Sequence, residues 1–187
     1  MTKIKWKKGI ILLILVMLAL IIIFNIPNKI QKIIYKKDYS EYVEKYAKEY
    51  NVDENLVYAV IKAESNFKND AKSNKDAVGL MQLMASTAKE VCRRIDLQIA
   101  EEELENELLN PETNINLGTK YLSILMEKYQ NVIIAVTAYN AGIGTVDNWI
   151  QDGIIEADGS NIEKIPYKET NNYVRKIIRD YKIYSQQ

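Results

Sequence analysis

The sequence predicts an all-α domain preceded by a single N-terminal transmembrane helix. Three observations predict it. Apolar residues recur at three- and four-residue steps from residue 39 onward, few segments alternate with a period of two, and one uncharged apolar run stands near the start. The expected boundaries are a membrane anchor over 1–27, a basic stalk over 28–38 and a helical domain over 39–187. A chain of 187 residues accommodates one compact domain plus accessories of this size.

The anchor rests on "GIILLILVMLALIIIFNI" at 9–26, where Asn25 is the one polar residue and no charge occurs. As an α-helix, such a stretch rises about 1.5 Å per residue and nearly crosses a hydrocarbon core of about 30 Å. Lys3, Lys5, Lys7 and Lys8 precede it, as in a signal peptide, but "FNIPNK" follows where a cleavage site needs small residues. An uncleaved anchor is therefore expected. Lys29, Lys32, Lys36 and Lys37 follow it, so lysines balance across the segment and give no orientation.

Within the domain, Tyr39, Tyr42, Val43, Tyr46, Ala47 and Tyr50 mark one face of a first helix. Asp53 is placed to cap the next, with Glu54 in its first turn. A helix is expected over 77–95. Asn110-Pro111-Glu112 is a start signal for another that runs to about Tyr129. "NVIIAVTAYNAG" (131–142) reads as a buried helix ended by Gly142. A last helix begins near Glu169 and carries the stripe Tyr173, Ile177, Tyr181 and Tyr184. The run 96–109 fits helix or loop, and 153–169 is the longest irregular stretch.

Composition narrows the chemistry. Histidine is absent, which excludes Ser-His-Asp and Cys-His catalysis and argues against a catalytic zinc site. The single cysteine, Cys92, forms no intrachain disulfide and is expected to pack in the interior. Beyond residue 27 the chain holds 21 basic and 25 acidic residues, a net of −4, which disfavours nucleic acid as a partner. Carboxylates, hydroxyls, lysines and amides remain.

Leu56, Val60 and Glu64 fall at i, i+4 and i+8, so a carboxylate shares a face with core residues at a helix C-terminus. Desolvation and the negative end of the helix dipole both disfavour its ionised form, which raises its pKa. A carboxylic acid that stays protonated near neutral pH suits a general acid for glycosidic cleavage. Alone, such an acid is more simply a solvated rim residue. Gln82 in "AVGLMQLMASTAKEV" and Tyr139 with Asn140 in "TAYNAGIGTV" supply amides and an aromatic hydroxyl of the kind that line a sugar groove.

The motifs "ESNF" (64–67), "GLMQLM" (79–84), "AYNAG" (138–142) and "IPYKETNNYV" (165–174), in this order, resemble those of the lytic transglycosylases. These have a soluble-lytic-transglycosylase (SLT) catalytic domain related to goose-type lysozyme. The resemblance covers about Tyr46 to Tyr184 and implies a lysozyme-like helical fold. It implies that Glu64 is the catalytic acid/base, with Ser65 paired to it. It also implies that Ser73, Gln82, Met84, Tyr139, Asn140, Glu169 and Tyr173 contact substrate, while Asn114 and Gly118 pack. Ala85 replaces a common proline, and Asn171 stands where the family often has a basic residue.

On that resemblance the substrate is peptidoglycan, cleaved between N-acetylmuramic acid and N-acetylglucosamine with formation of a 1,6-anhydromuramyl end. Neither a cofactor nor a metal is called for. The expected partners are glycan strands, and the membrane through the N-terminal helix. The domain would then lie outside the cytoplasmic membrane, N-in and C-out. Three rivals remain: a hydrolytic muramidase on the same fold, a non-catalytic glycan-binding or scaffold module, and a serine transpeptidase suggested by "STAK" (86–89). The last lacks both S-D-N and K-T-G.

Overall fold

The computed structural model describes residues 33–187. The transmembrane helix expected over 1–27 and the first part of the stalk lie outside the described residues. Among the described residues, no helix is long and apolar enough to cross a membrane. Contacts divide the chain into two units, Met1–Lys36 and Lys37–Gln187, and the second carries the fold described below.

This unit is all helical. Its elements are α1 (Ser40–Glu49), α2 (Glu54–Glu64), α3 (Ala85–Arg94), a single turn α4 (Leu104–Glu107), α5 (Pro111–Tyr129), α6 (Val132–Ala141) and α7 (Ile143–Gln151). A 3-10 turn (Ile162–Lys164) precedes α8 (Lys168–Tyr184). No strand occurs among the described residues, only isolated bridges joining Lys72 to Val78 and Val78 to Leu83.

The local signals explain the boundaries. The Asp53 side chain accepts from the Asn55 N–H and starts α2. Asn110 accepts from Glu112 and Thr113 N–H ahead of Pro111 at the start of α5, which removes donors that would otherwise lack partners. Gly142, at φ 88°, closes α6. The sequence reading has no helix beyond it, yet α7 begins at the next residue, so Gly142 is a corner between two helices.

The helix expected over 77–95 is corrected. Only Ala85–Arg94 is helical, and residues 71–84 form a tight loop. Gly79 and Gln82 have φ of 81° and 47°, left-handed values that a right-handed helix does not accommodate. The apolar run "VGLMQLM" is buried because the loop folds inward, not because it is one helix face. Val78, Leu80, Met81 and Leu83 are all core residues.

Helix α2 is the centre of the unit. Its residues Leu56 to Ile61 are buried in succession, so it is enclosed on every side rather than along one stripe. It packs on α8, where Tyr58 and Tyr184 stack with ring centroids 5.5 Å apart. Helix α6 packs between α5 and α8, and α1 lies along α5.

Two residues of α5, one turn apart, receive the 78–83 loop. Asn114 is fully buried. Its Oδ1 accepts from Met81 N–H at 2.8 Å, and its Nδ2 donates to the Val78 and Leu108 carbonyls at 2.9 and 2.8 Å. At Gly118 a Cβ would stand 2.4 Å from Met81 Sδ, so the missing side chain admits the methionine. Asn114→Leu removes three hydrogen bonds and leaves buried backbone groups unpaired, so it should cost about 3–5 kcal/mol. The urea midpoint should fall accordingly; an unchanged midpoint would contradict this role.

Candidate active site

Glu64 is the last residue of α2, delivered by a buried helix to the edge of a cleft of about 420 Å³. Ser65 caps the helix and turns away from the cleft. It is buried, and its hydroxyl donates to the Leu80 carbonyl at 2.8 Å, which ties the carboxylate's neighbour to the 78–83 loop. Tyr173, on α8, donates its hydroxyl to Glu64 Oε1 at 2.6 Å. One turn further along α8, Lys176 donates to the Ala63 carbonyl at 3.1 Å and covers the negative end of α2.

Burial pushes the Glu64 carboxyl up to about 7, against the Tyr173 hydrogen bond and the Lys176 charge, which both pull it down. Desolvation wins because it penalises the anion directly, while each opposing partner is a single contact. Burial also holds the Tyr139 and Tyr173 hydroxyls far above the ordinary tyrosine value, with the nearby Glu64 charge adding to the effect. Both stay protonated hydrogen-bond donors at neutral pH.

One wall of the cleft comes from the loop and the start of α3. Ser73 lines it, its Oγ accepting from Lys75 and Ala77 N–H, so its own proton is free for a ligand. Gln82 commits its amide nitrogen to the Ala71 and Gly79 carbonyls, leaving its amide oxygen available. Met84 presents an exposed apolar side chain just ahead of α3.

Across from it, Tyr139 and Asn140 end α6. The Tyr139 hydroxyl donates to the Met81 carbonyl at 2.8 Å, so its polar end holds the loop while the ring borders the cleft. Asn140 Oδ1 accepts from Thr170 Oγ1 of α8 at 2.8 Å, and exposed Glu169 stands in the first turn of that helix.

The cleft therefore gathers Glu64, Ser73, Gln82, Met84, Tyr139, Asn140 and Glu169, whose positions span more than a hundred residues. Tyr173 reaches it through Glu64, whereas Ser65 stands behind it. A smaller hollow of about 240 Å³ continues past Gln82 and Met84 toward Thr87, Tyr121 and Gly142. Asp70 and Asp76 are exposed, and neither lines the cleft.

The Transglycosylase SLT domain family matches residues 41–158. The chain belongs to this family. It is 33% identical over 142 residues to the soluble lytic murein transglycosylase of Salmonella typhimurium, covering 75% of this chain and 22% of that one. It is 36% identical over 133 residues to the membrane-bound lytic murein transglycosylase C of Edwardsiella ictaluri, covering 65% and 35% respectively. Among solved structures it resembles an inactive mutant of the lytic transglycosylase Slt from Pseudomonas aeruginosa. The TM-score is 0.76 at 35% identity, over 83% of this chain and 25% of that one. A complex of the 70-kDa soluble lytic transglycosylase with bulgecin A gives a TM-score of 0.74 at 29% identity. The chain thus spans about a fifth to a third of the length of these curated relatives. The lysozyme-like helical fold follows.

Sequence reasoning about this SLT domain passed over three residues. Lys176 has a signal in retrospect, three positions beyond Tyr173 on the same helix face. Tyr121 packs against Tyr139 with ring centroids 5.2 Å apart, a pairing between α5 and α6 that no local pattern reveals. Lys75 is part of a turn that is legible only once folded.

The balance at Glu64 gives a signed expectation. The Tyr173 hydroxyl stabilises the anion, so Tyr173→Phe should raise the Glu64 pKa above its value of about 7 by roughly one unit. Carboxyl-carbon NMR titration reads this directly. A downward shift would mean that the hydrogen bond stabilises the protonated form instead.

Proposed function

We propose that this chain is a membrane-anchored lytic transglycosylase of peptidoglycan, in which Glu64 serves first as acid and then as base. The observation that supports this most is a part-buried carboxyl, pushed up to about 7 by burial, at the edge of a cleft of about 420 Å³ lined by amide, hydroxyl and aromatic side chains. Near neutral pH such a group is populated in both protonation states, which a single acid/base needs.

In the first step protonated Glu64 gives its proton to the glycosidic oxygen as the bond to muramyl C1 breaks. The resulting carboxylate then takes the proton of the muramyl C6 hydroxyl, whose oxygen bonds to C1 and closes the 1,6-anhydro ring. Glu64 ends as it began, protonated. A glycosidase that uses water ordinarily employs two carboxylates. Here the groups that act on Glu64 are the Tyr173 hydroxyl and Lys176; the other carboxyl lining the cleft, exposed Glu169 in the first turn of α8, is not among them. Tyr173 steadies the transient anion, while Tyr139 and Gln82 border the sugar site. Peptidoglycan places the domain outside the cytoplasmic membrane, N-in and C-out. The membrane-bound name of one relative and the apolar run at 9–26 both support an anchored enzyme.

Glu64→Gln keeps the shape and removes both proton transfers. On purified sacculi, release of soluble muropeptides should fall by at least roughly a thousandfold, with an unchanged circular dichroism spectrum. Substantial release by this variant would remove Glu64 from the chemistry.

A further inference from the structure

The cleft holds a cation that the acid-base chemistry does not use. Among the described residues, Lys75 is the one positively charged side chain that lines it, alongside Glu64 and Glu169. Its place is set by the turn 73–77. Ser73 N–H donates to the Ala77 carbonyl at 2.9 Å, and Asp76 N–H to the Ser73 carbonyl at 3.1 Å. Ser73 Oγ accepts from Lys75 and Ala77 N–H at 3.2 and 3.0 Å, and Asp76 completes the turn at φ 58°. Such a turn fixes the Lys75 backbone before any ligand arrives.

The acid next to Lys75 is engaged elsewhere. Asp76 pairs with Lys72 at 3.9 Å, and Lys72 also binds Glu105. None of the ion pairs among the described residues includes Lys75. Its charge is therefore presented in the cleft outside any ion pair among the described residues.

The sugar rings of the proposed substrate are neutral, with hydroxyls and acetamides. Their carboxylates sit on the muramyl substituents, either at the lactyl ether or along the stem peptide. We propose that Lys75 is a specificity-determining residue that pairs with a carboxylate carried by a muramyl unit. The inference rests on the peptidoglycan reading above and deepens it. It makes the SLT cleft sensitive to whether those carboxylates are free or amidated.

Binding tests this without turnover. Full-length Glu64→Gln protein in detergent is titrated calorimetrically with four tetrasaccharides: stem-bearing muropeptide with free carboxylates, the same with amidated carboxylates, stem-free muramyl glycan with free lactyl carboxylates, and chitotetraose. A solvent-exposed ion pair should favour the carboxylated ligand about two- to fivefold over the amidated one. Added Lys75→Ala should abolish that preference, Lys75→Glu should reverse it, and Lys75→Arg should keep it, while chitotetraose binding stays unchanged. Preference for the stem-free glycan over chitotetraose that depends on Lys75 assigns the lactyl carboxylate; its absence assigns the stem. If the preference survives Lys75→Glu, or no ligand shows one, the inference is overturned. If chitotetraose and muropeptides all fail to bind, the glycan reading itself fails and takes this inference with it.

Discussion

Asn114 has no exposure to solvent, and its side-chain amide holds the Met81 N–H and the Leu108 carbonyl and adds a second bond to the Val78 carbonyl, which also accepts from Leu83 N–H. The loop at 78–83 keeps its inward-folded form around that residue, which pairs buried groups the loop's own backbone hydrogen bonds leave over. An apolar segment with buried, unpaired backbone would otherwise be strongly unfavourable. From this anchor the rest of the cleft follows. Leu80 offers its carbonyl to Ser65, Met81 offers its own to Tyr139, and Gly79 offers its own to Gln82. The end of α2, the end of α6 and the wall of the cleft are thus fastened to one loop. Gly79 is required by the same geometry, since its φ is 81° and a Cβ would stand 2.2 Å from the Asn114 amide nitrogen.

What the scaffold delivers is a balance of opposing terms at one carboxyl. The core around α2 withdraws solvent from Glu64, and the helix end adds a partial negative charge. Tyr173 and Lys176 oppose this from a single face of α8. Burial alone gives a permanently neutral acid; full compensation gives an ordinary carboxylate that protonates nothing at neutral pH. The value of about 7 lies between these limits. Tyr173 also has a directional role, because its raised pKa keeps its proton in place and its hydroxyl donates to Glu64 Oε1.

Much of this was legible in the chain. Helices with paired signals were readable, as at Asp53 and Asn110, where a capping side chain and a suitable first turn agree. Cleft residues are legible where a motif names them, as at Gln82, Met84, Tyr139, Asn140 and Glu169, or, for Ser73, where the family resemblance places a serine, and all of them line it. The run at 77–84 was misread because apolar spacing cannot distinguish a buried helix from a buried loop. What decides that case is a polar partner 33 residues away. Asn114 reads as a packing residue in sequence, since an isolated asparagine in a helix carries no local mark of three tertiary hydrogen bonds. Ser65 has a comparable explanation: its pairing with Glu64 is real in sequence, but its hydroxyl faces the loop.

The central claim is that one carboxylate suffices because the substrate supplies the nucleophile. The most direct measurement is mass spectrometry of muropeptides released by the wild-type chain in H₂¹⁸O. If the muramyl C6 oxygen closes on C1, every new end is an anhydromuramyl residue, one water lighter than the hydrolytic product, with no ¹⁸O. Reducing muramyl ends carrying ¹⁸O from the cleavage event would show that water attacked, and would contradict the single-carboxylate account.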